Sequence, residues 1–205
     1  MEKEAVMSVA MQERGPSVEG LAGWTVEDLK ALKQERLMEL FLTLPCPTMR
    51  EMEGEFKGEL LDTGRFWFIK KPLAHFGLRS SLNKGKWLGK GFTTVAENEG
   101  HGYNSYERFG RVHHVFPMKT RIAASVFDGK DCFELDYTAY HSGAGFINMI
   151  DEVRKVNDEL YLGIGTWGYF KRQRRIPFFF ALSGPRAPYA GIDRPHRERR
   201  RRFTR

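Results

Sequence analysis

Two cysteines, Cys46 and Cys132, are too few in 205 residues for a disulfide framework, and neither sits in a Cys-x-x-Cys pair. No apolar run approaches the roughly 18 residues that a membrane helix needs. The longest candidates, such as Ile176 to Leu182, are strand-sized. The first residues, Met1-Glu2-Lys3-Glu4, lack the basic-then-apolar order of a secretory signal. These absences point to a cytoplasmic protein. Metal patterns are missing too: there is no His-x-His and no His-Glu-x-x-His, and the six histidines (75, 101, 113, 114, 141 and 196) are scattered. A haem would find only a lone histidine, His114 or His141. Ser80, Ser105, Ser125 and Ser142 lack a Gly-x-Ser-x-Gly context. Gly163-Ile-Gly165-Thr-Trp-Gly168 echoes a dinucleotide fingerprint but does not open a helix after a strand, so no cofactor is expected.

The chain has 41% hydrophobic, 29% charged and 13% aromatic residues, a composition that can bury a core. Its formal charge is +7, unevenly spread. Seven arginines and one acid between Arg194 and Arg205 give that stretch +6, leaving +1 for the other 193 residues. A nearly neutral body lacks the broad basic face of a nucleic-acid binder, so nucleic acid is expected only through the terminal run. That run is otherwise a solvated end.

The sequence divides into a leader (1–24), a helix (25–44), a β domain (50–190) and an Arg-rich tail (191–205). Thr25 with Asp28 approximates a capping box, and Leu29, Leu32, Leu37, Leu40 and Phe41 keep near-helical spacing until Pro45 and Pro47 stop the helix. Such an amphipathic helix must plug or flank the domain that follows. From Gly54 the period changes to two. Ten short strands are expected: 55–61, 65–69, 86–96, 103–107, 111–118, 121–127, 132–140, 148–156, 161–169 and 177–182. Asp128-Gly129 gives the clearest hairpin turn. So many short strands with few helical stretches predict a mainly β fold, a closed antiparallel lipocalin- or calycin-like barrel with an N-terminal amphipathic helix. Gly163 and Gly165 mark a bend or leave room for a ligand.

Several stretches are similar in order to the GXWXG-motif family of unknown function: Glu39-Leu40-Phe41 with Leu44-Pro45, Gly54-Glu-Phe56-Lys-Gly58, Thr63-Gly64, and Trp87-Leu-Gly-Lys-Gly-Phe92. Val153 to Asp158, Leu162-Gly163 and Pro177 to Leu182 resemble that family's closing strands, so the resemblance covers about residues 37–183. Phe56 stands where the naming tryptophan would be, and 100–117 has no counterpart. The resemblance implies a lipocalin-like barrel and no particular reaction.

Two functions follow from these residues. The first is a barrel that binds an apolar or aromatic small molecule, with Trp67, Trp87, Tyr137, Trp167 and Tyr169 as ligand-binding walls. The alternative is a cofactor-independent isomerase, cyclase or lyase of small-molecule metabolism. Its acids and bases would be His114, Tyr103, Glu134, Asp136 and Tyr140. By strand parity His114 travels with Val112, Phe116 and Met118, the more apolar set, which makes it the better interior candidate than His113. Glu134, Asp136 and Tyr140 share one parity, and the opposite one (Phe133, Leu135, Tyr137) is more core-like, which favours an exterior position for the acids. The sequence leaves a homodimer open.

Overall fold

The computed structural model describes residues 20–61, 85–170, 176–193 and 197–198. Eight antiparallel strands close into one barrel in chain order: β1 (Gly54–Leu60), β2 (Lys86–Ala96), β3 (Glu99–Arg108), β4 (Arg111–Ala124), β5 (Asp131–Asp136), β6 (Ile150–Asn157), β7 (Leu160–Thr166) and β8 (Phe178–Ala187). β8 pairs back onto β1, so every edge is satisfied. The closed antiparallel barrel expected from the period-two pattern is the fold found. Two expected strands, 111–118 and 121–127, are one continuous β4. The expected strand at 65–69, like the leader up to residue 19 and most of the Arg-rich tail, lies outside the described residues.

The hairpin turns follow local chemistry. Asp128-Gly129 joins β4 to β5, with Gly129 at φ 76° and its amide donating to Ser125 O at 2.9 Å. Between β3 and β4, Phe109 (φ 52°) and Gly110 (φ 71°) form a two-residue loop with both dihedrals positive, the arrangement that matches strand twist.

The expected single helix is two, α1 (Val26–Ala31) and α2 (Gln34–Thr43), separated at Leu32-Lys33. Asp28 accepts from Thr25 N and Oγ1 at 2.7 and 2.8 Å, the acid half of the expected cap. The helices flank the barrel rather than plug it. Leu29, Leu37, Leu40 and Phe41 bury against outward-facing Leu162, Ile164, Phe179 and Ala181. Arg154, fully buried, fixes this layer: its guanidinium meets Asp128 at 2.9 and 2.7 Å and donates to Phe41 O at 3.0 Å. Bidentate geometry of this kind holds two elements in one register.

Inside the barrel, one end is sealed. Met49 and Met52, just before β1, pack against Phe56, Phe92, Phe133 and Tyr161. The rings interlock, with centroids 5.3 Å apart for Phe92 and Phe133 and 5.6 Å for Phe56 and Tyr161. The opposite end carries the starts of β2, β4, β6 and β8. There the inward-facing Trp87, Tyr106, Val115 and Met149 keep partial exposure. Among the described residues, seven of the nine exposed large apolar side chains (Leu60, Phe109, Val112, Phe146, Tyr169, Phe170 and Ile176) also sit at that end. The described residues thus form a cup, closely packed at the Met49–Met52 end and with partly exposed walls at the other.

Among the described residues, no helix is long and apolar enough to cross a membrane.

Candidate functional site

The floor of the cup is polar. Lys90 Nζ donates to Asn104 Oδ1 at 2.9 Å, Tyr137 OH at 2.5 Å and Asp151 Oδ2 at 2.9 Å. Trp87 Nε1 donates to Asn104 Oδ1 at 3.1 Å, and Asn104 Nδ2 to Tyr137 OH at 2.9 Å. Tyr137 OH donates in turn to Asp151 Oδ2 at 3.2 Å. Lys90 also lies over three rings, 5.6 Å from Trp87, 5.2 Å from Tyr137 and 5.0 Å from Phe180.

The backbone explains how these groups meet. On β2, Trp87 pairs with Tyr106 but Gly89 pairs with Ser105, so Leu88 is an extra residue. That bulge aims both Trp87 and Lys90 inward, which strict alternation forbids. Gly89, at φ 149°, supplies the backbone freedom the bulge needs. A side chain at Gly58 would overlap the Trp87 ring at 2.3 Å, so the indole occupies space that β1 leaves empty. Tyr137 arrives from a short 3-10 helix (Tyr137–Ala139) that ends β5, rather than from the strand expected to run on to residue 140.

Burial dominates the electrostatics. It pushes the Lys90 ammonium below its ordinary pKa and the Asp151 carboxyl above its own, and their mutual attraction opposes both shifts. Tyr137 is driven well upward, first by burial and then by the Asp151 charge, so its phenol keeps its proton. Asp151 Oδ1, in a fully buried residue, has no hydrogen-bond partner among the described residues. A charged pair inside an apolar barrel is weak support for stability, since apolar replacements are often as good. The arrangement can anchor a polar group of a guest molecule and hold a proton at Tyr137. Among the described residues, no group of three His, Cys, Asp or Glu side chains could hold a metal ion.

The residues singled out from sequence fall in different places. Trp87 and Tyr137 belong to the cup. Trp167 lies at the open end with its ring 6.4 Å from Phe178, and Tyr169 is exposed there, donating to Phe146 O at 2.5 Å. Trp67 lies outside the described residues.

The five proposed acids and bases do not share the interior. Met118 pairs with Gly102 but Val115 with Asn104, so β4 has an extra residue at Phe116, whose φ is 56°. This bulge reverses the parity. His114, opposite Ser105, faces outward, contrary to the interior position that simple alternation gives. It stacks on Tyr103 at 4.3 Å beneath residues 189–193, with His114 Nδ1 2.8 Å from Gly191 O. Tyr103 bonds to Glu55 and accepts from Ala190 N at 3.0 Å. Glu134 faces outward and pairs with Arg121 at 2.7 Å. Asp136 caps the 3-10 helix through Thr138 N at 2.8 Å, and Tyr140 OH meets His101 Nδ1 at 3.0 Å. Gly163 makes room for the Phe180 ring, which a Cβ would meet at 2.2 Å. Lys90, Asn104 and Asp151 were missed. The available signal was a lysine between two glycines, Gly89-Lys90-Gly91, flanked by Trp87-Leu88 and Phe92.

No family model matches this chain, and no curated protein matches it. The crystal structure of a protein from Thermomonospora curvata is similar, with a TM-score of 0.50 and 17% identity over 77% of this chain and 91% of that one. At that identity the likeness concerns the fold: both chains build the barrel.

Proposed function

We propose that the protein binds a small apolar or aromatic molecule in the open half of its barrel, with the Lys90–Asn104–Tyr137–Asp151 cluster anchoring a polar group of that molecule. One observation carries this reading. Trp87, Lys90, Asn104, Tyr137 and Asp151 come from three strands and a 3-10 turn to one buried point, where an apolar core would fold at no greater cost. The partly exposed aromatic and aliphatic residues above them supply walls for an apolar body. Membership of the GXWXG family belongs to the same proposal and rests on the motif set.

Native mass spectrometry of gently purified protein tests the binding. A small-molecule adduct released by organic solvent is expected. Bare protein mass, together with no thermal shift from a panel of apolar alcohols, ketones and acids, overturns the reading.

The Tyr137 phenol, hydrogen-bonded to both Lys90 and Asp151, favours a second reading as a cofactor-independent isomerase, cyclase or lyase that moves a proton at this point. Turnover of a bound molecule that Tyr137→Phe abolishes while binding persists supports that reading. Unchanged turnover in the variant rejects it.

A further inference from the structure

A count of hydrogens in the cluster limits what it accepts. Lys90 has three, and all go to acceptors within the cluster, at 2.9, 2.5 and 2.9 Å. The single indole hydrogen of Trp87 goes to Asn104, and the hydroxyl hydrogen of Tyr137 goes to Asp151. One amide hydrogen of Asn104 goes to Tyr137. Beyond the second amide hydrogen of Asn104, no donor in this cluster is left over.

The acceptor side does not close. Asp151 Oδ2 takes hydrogens from Lys90 and Tyr137, while Oδ1 takes none from the described residues although Asp151 is fully buried. A buried carboxylate oxygen without a donor is costly, and any incoming donor relieves that cost. Across the β6–β7 pair Asp151 faces Gly165, where a Cβ would stand 3.1 Å from Oδ1. The strand therefore leaves the oxygen uncovered by any side chain of its direct partner.

We infer that the site selects a ligand that donates a hydrogen bond to Asp151 Oδ1, an alcohol, phenol or N–H group on an apolar body, and discriminates against ethers and aldehydes of the same shape. This inference rests on the binding reading above. It also sets Lys90 as a fixed ammonium that holds Asp151 in place, since its three donor positions are occupied.

The test compares 1-naphthol, 1-methoxynaphthalene and 1-naphthaldehyde by isothermal titration calorimetry on the full-length protein. The naphthol is expected to bind about tenfold or more tightly than either analogue, as befits a hydrogen bond to a charged acceptor. In Asp151→Asn that gap is expected to shrink to roughly threefold or less, because the charge of the acceptor is gone. Equal affinities of naphthol and ether for the unmodified protein overturn the inference and leave the binding reading standing. A gap that survives in Asp151→Asn also overturns it, by moving the selectivity to another residue. Binding by none of the three removes the binding reading and this inference together. Should Asp151→Asn fail to fold, the comparison on the unmodified protein decides alone.

Discussion

Lys90 Nζ and Asp151 Oδ2 lie 2.9 Å apart with side chains 3% and 0% exposed, so each is the other's counter-charge at the buried base of the cup. Removing one partner leaves an uncompensated charge in the barrel. Asp151→Ala is expected to destabilise the protein by about 3–5 kcal/mol, whereas Lys90→Met with Asp151→Leu should return most of that loss. Urea unfolding of the single and double variants measures both. A double variant no more stable than the single would mean that the cluster, not the charge pair, holds the fold.

The two strand glycines of β7 should behave differently. A Cβ at Gly163 meets the Phe180 ring at 2.2 Å, an overlap of rigid groups. Gly163→Ala is expected to cost about 1–3 kcal/mol, in the range of overpacked cores. At Gly165 the nearest atom is Asp151 Oδ1 at 3.1 Å, so Gly165→Ala should cost less in denaturant midpoint. Equal losses at the two positions would contradict the packing described.

The turn between β3 and β4 places Phe109, 89% exposed, at φ 52°, where asparagine or glycine is favoured. Phe109→Asn is expected to raise stability by about 1 kcal/mol, the scale of the steric penalty for a left-handed residue. Thermal unfolding checks the sign.

Acid should weaken the link between the segment before β1 and the far side of the barrel. The Lys155 ammonium, and next the Thr48 amide, hold the Glu51 carboxyl at about 2, against an ordinary 4.5. A depressed carboxyl stabilises the fold above its unfolded value and loses that contribution as pH falls from 4.5 through about 2. Glu51 is partly exposed, so Glu51→Gln should cost only about 0.5–1 kcal/mol near pH 7. The difference from the unmodified protein should shrink as pH falls below 4.5 and vanish only below about pH 2, as denaturation curves at several pH values would register.

Tyr103 holds the segment after β8. Its hydroxyl accepts from Ala190 N at 3.0 Å and bonds to Glu55. Tyr103→Phe is expected to speed hydrogen exchange at the Ala190 amide while leaving the strand amides of β3 protected. Unchanged exchange would show that other contacts secure the segment.

Much of the fold was legible because period-two alternation and the Asp128-Gly129 turn are local signals. The strand at Lys86–Ala96 has the bounds that its pattern predicted. What alternation cannot carry is a change of phase. The bulges at Leu88 and Phe116 each insert one residue, and every inference of facing beyond them reverses. Hence alternation alone does not bring Lys90 to the same face as Trp87, and His114 lies outward where the pattern predicts inward. Asp151 is hidden for another reason: the acid pair Asp151-Glu152 at the start of a strand reads as a solvated end until its cross-barrel partners are known. Trp87 and Tyr137 were legible as aromatic side chains with a polar handle, although the hydrogen bonds that unite them span 17 and 47 residues of chain.

Met49 and Met52 stopper one end of the barrel against a floor of interlocked rings. If the proposed guest enters by the opposite end, that plug has a kinetic consequence. Arrival and departure share one route, so traffic cannot pass straight through, and a slow-leaving occupant blocks its successor. Displacement by a competitor must then wait for the first guest to leave, and the observed exchange rate levels off at that departure rate however concentrated the competitor becomes.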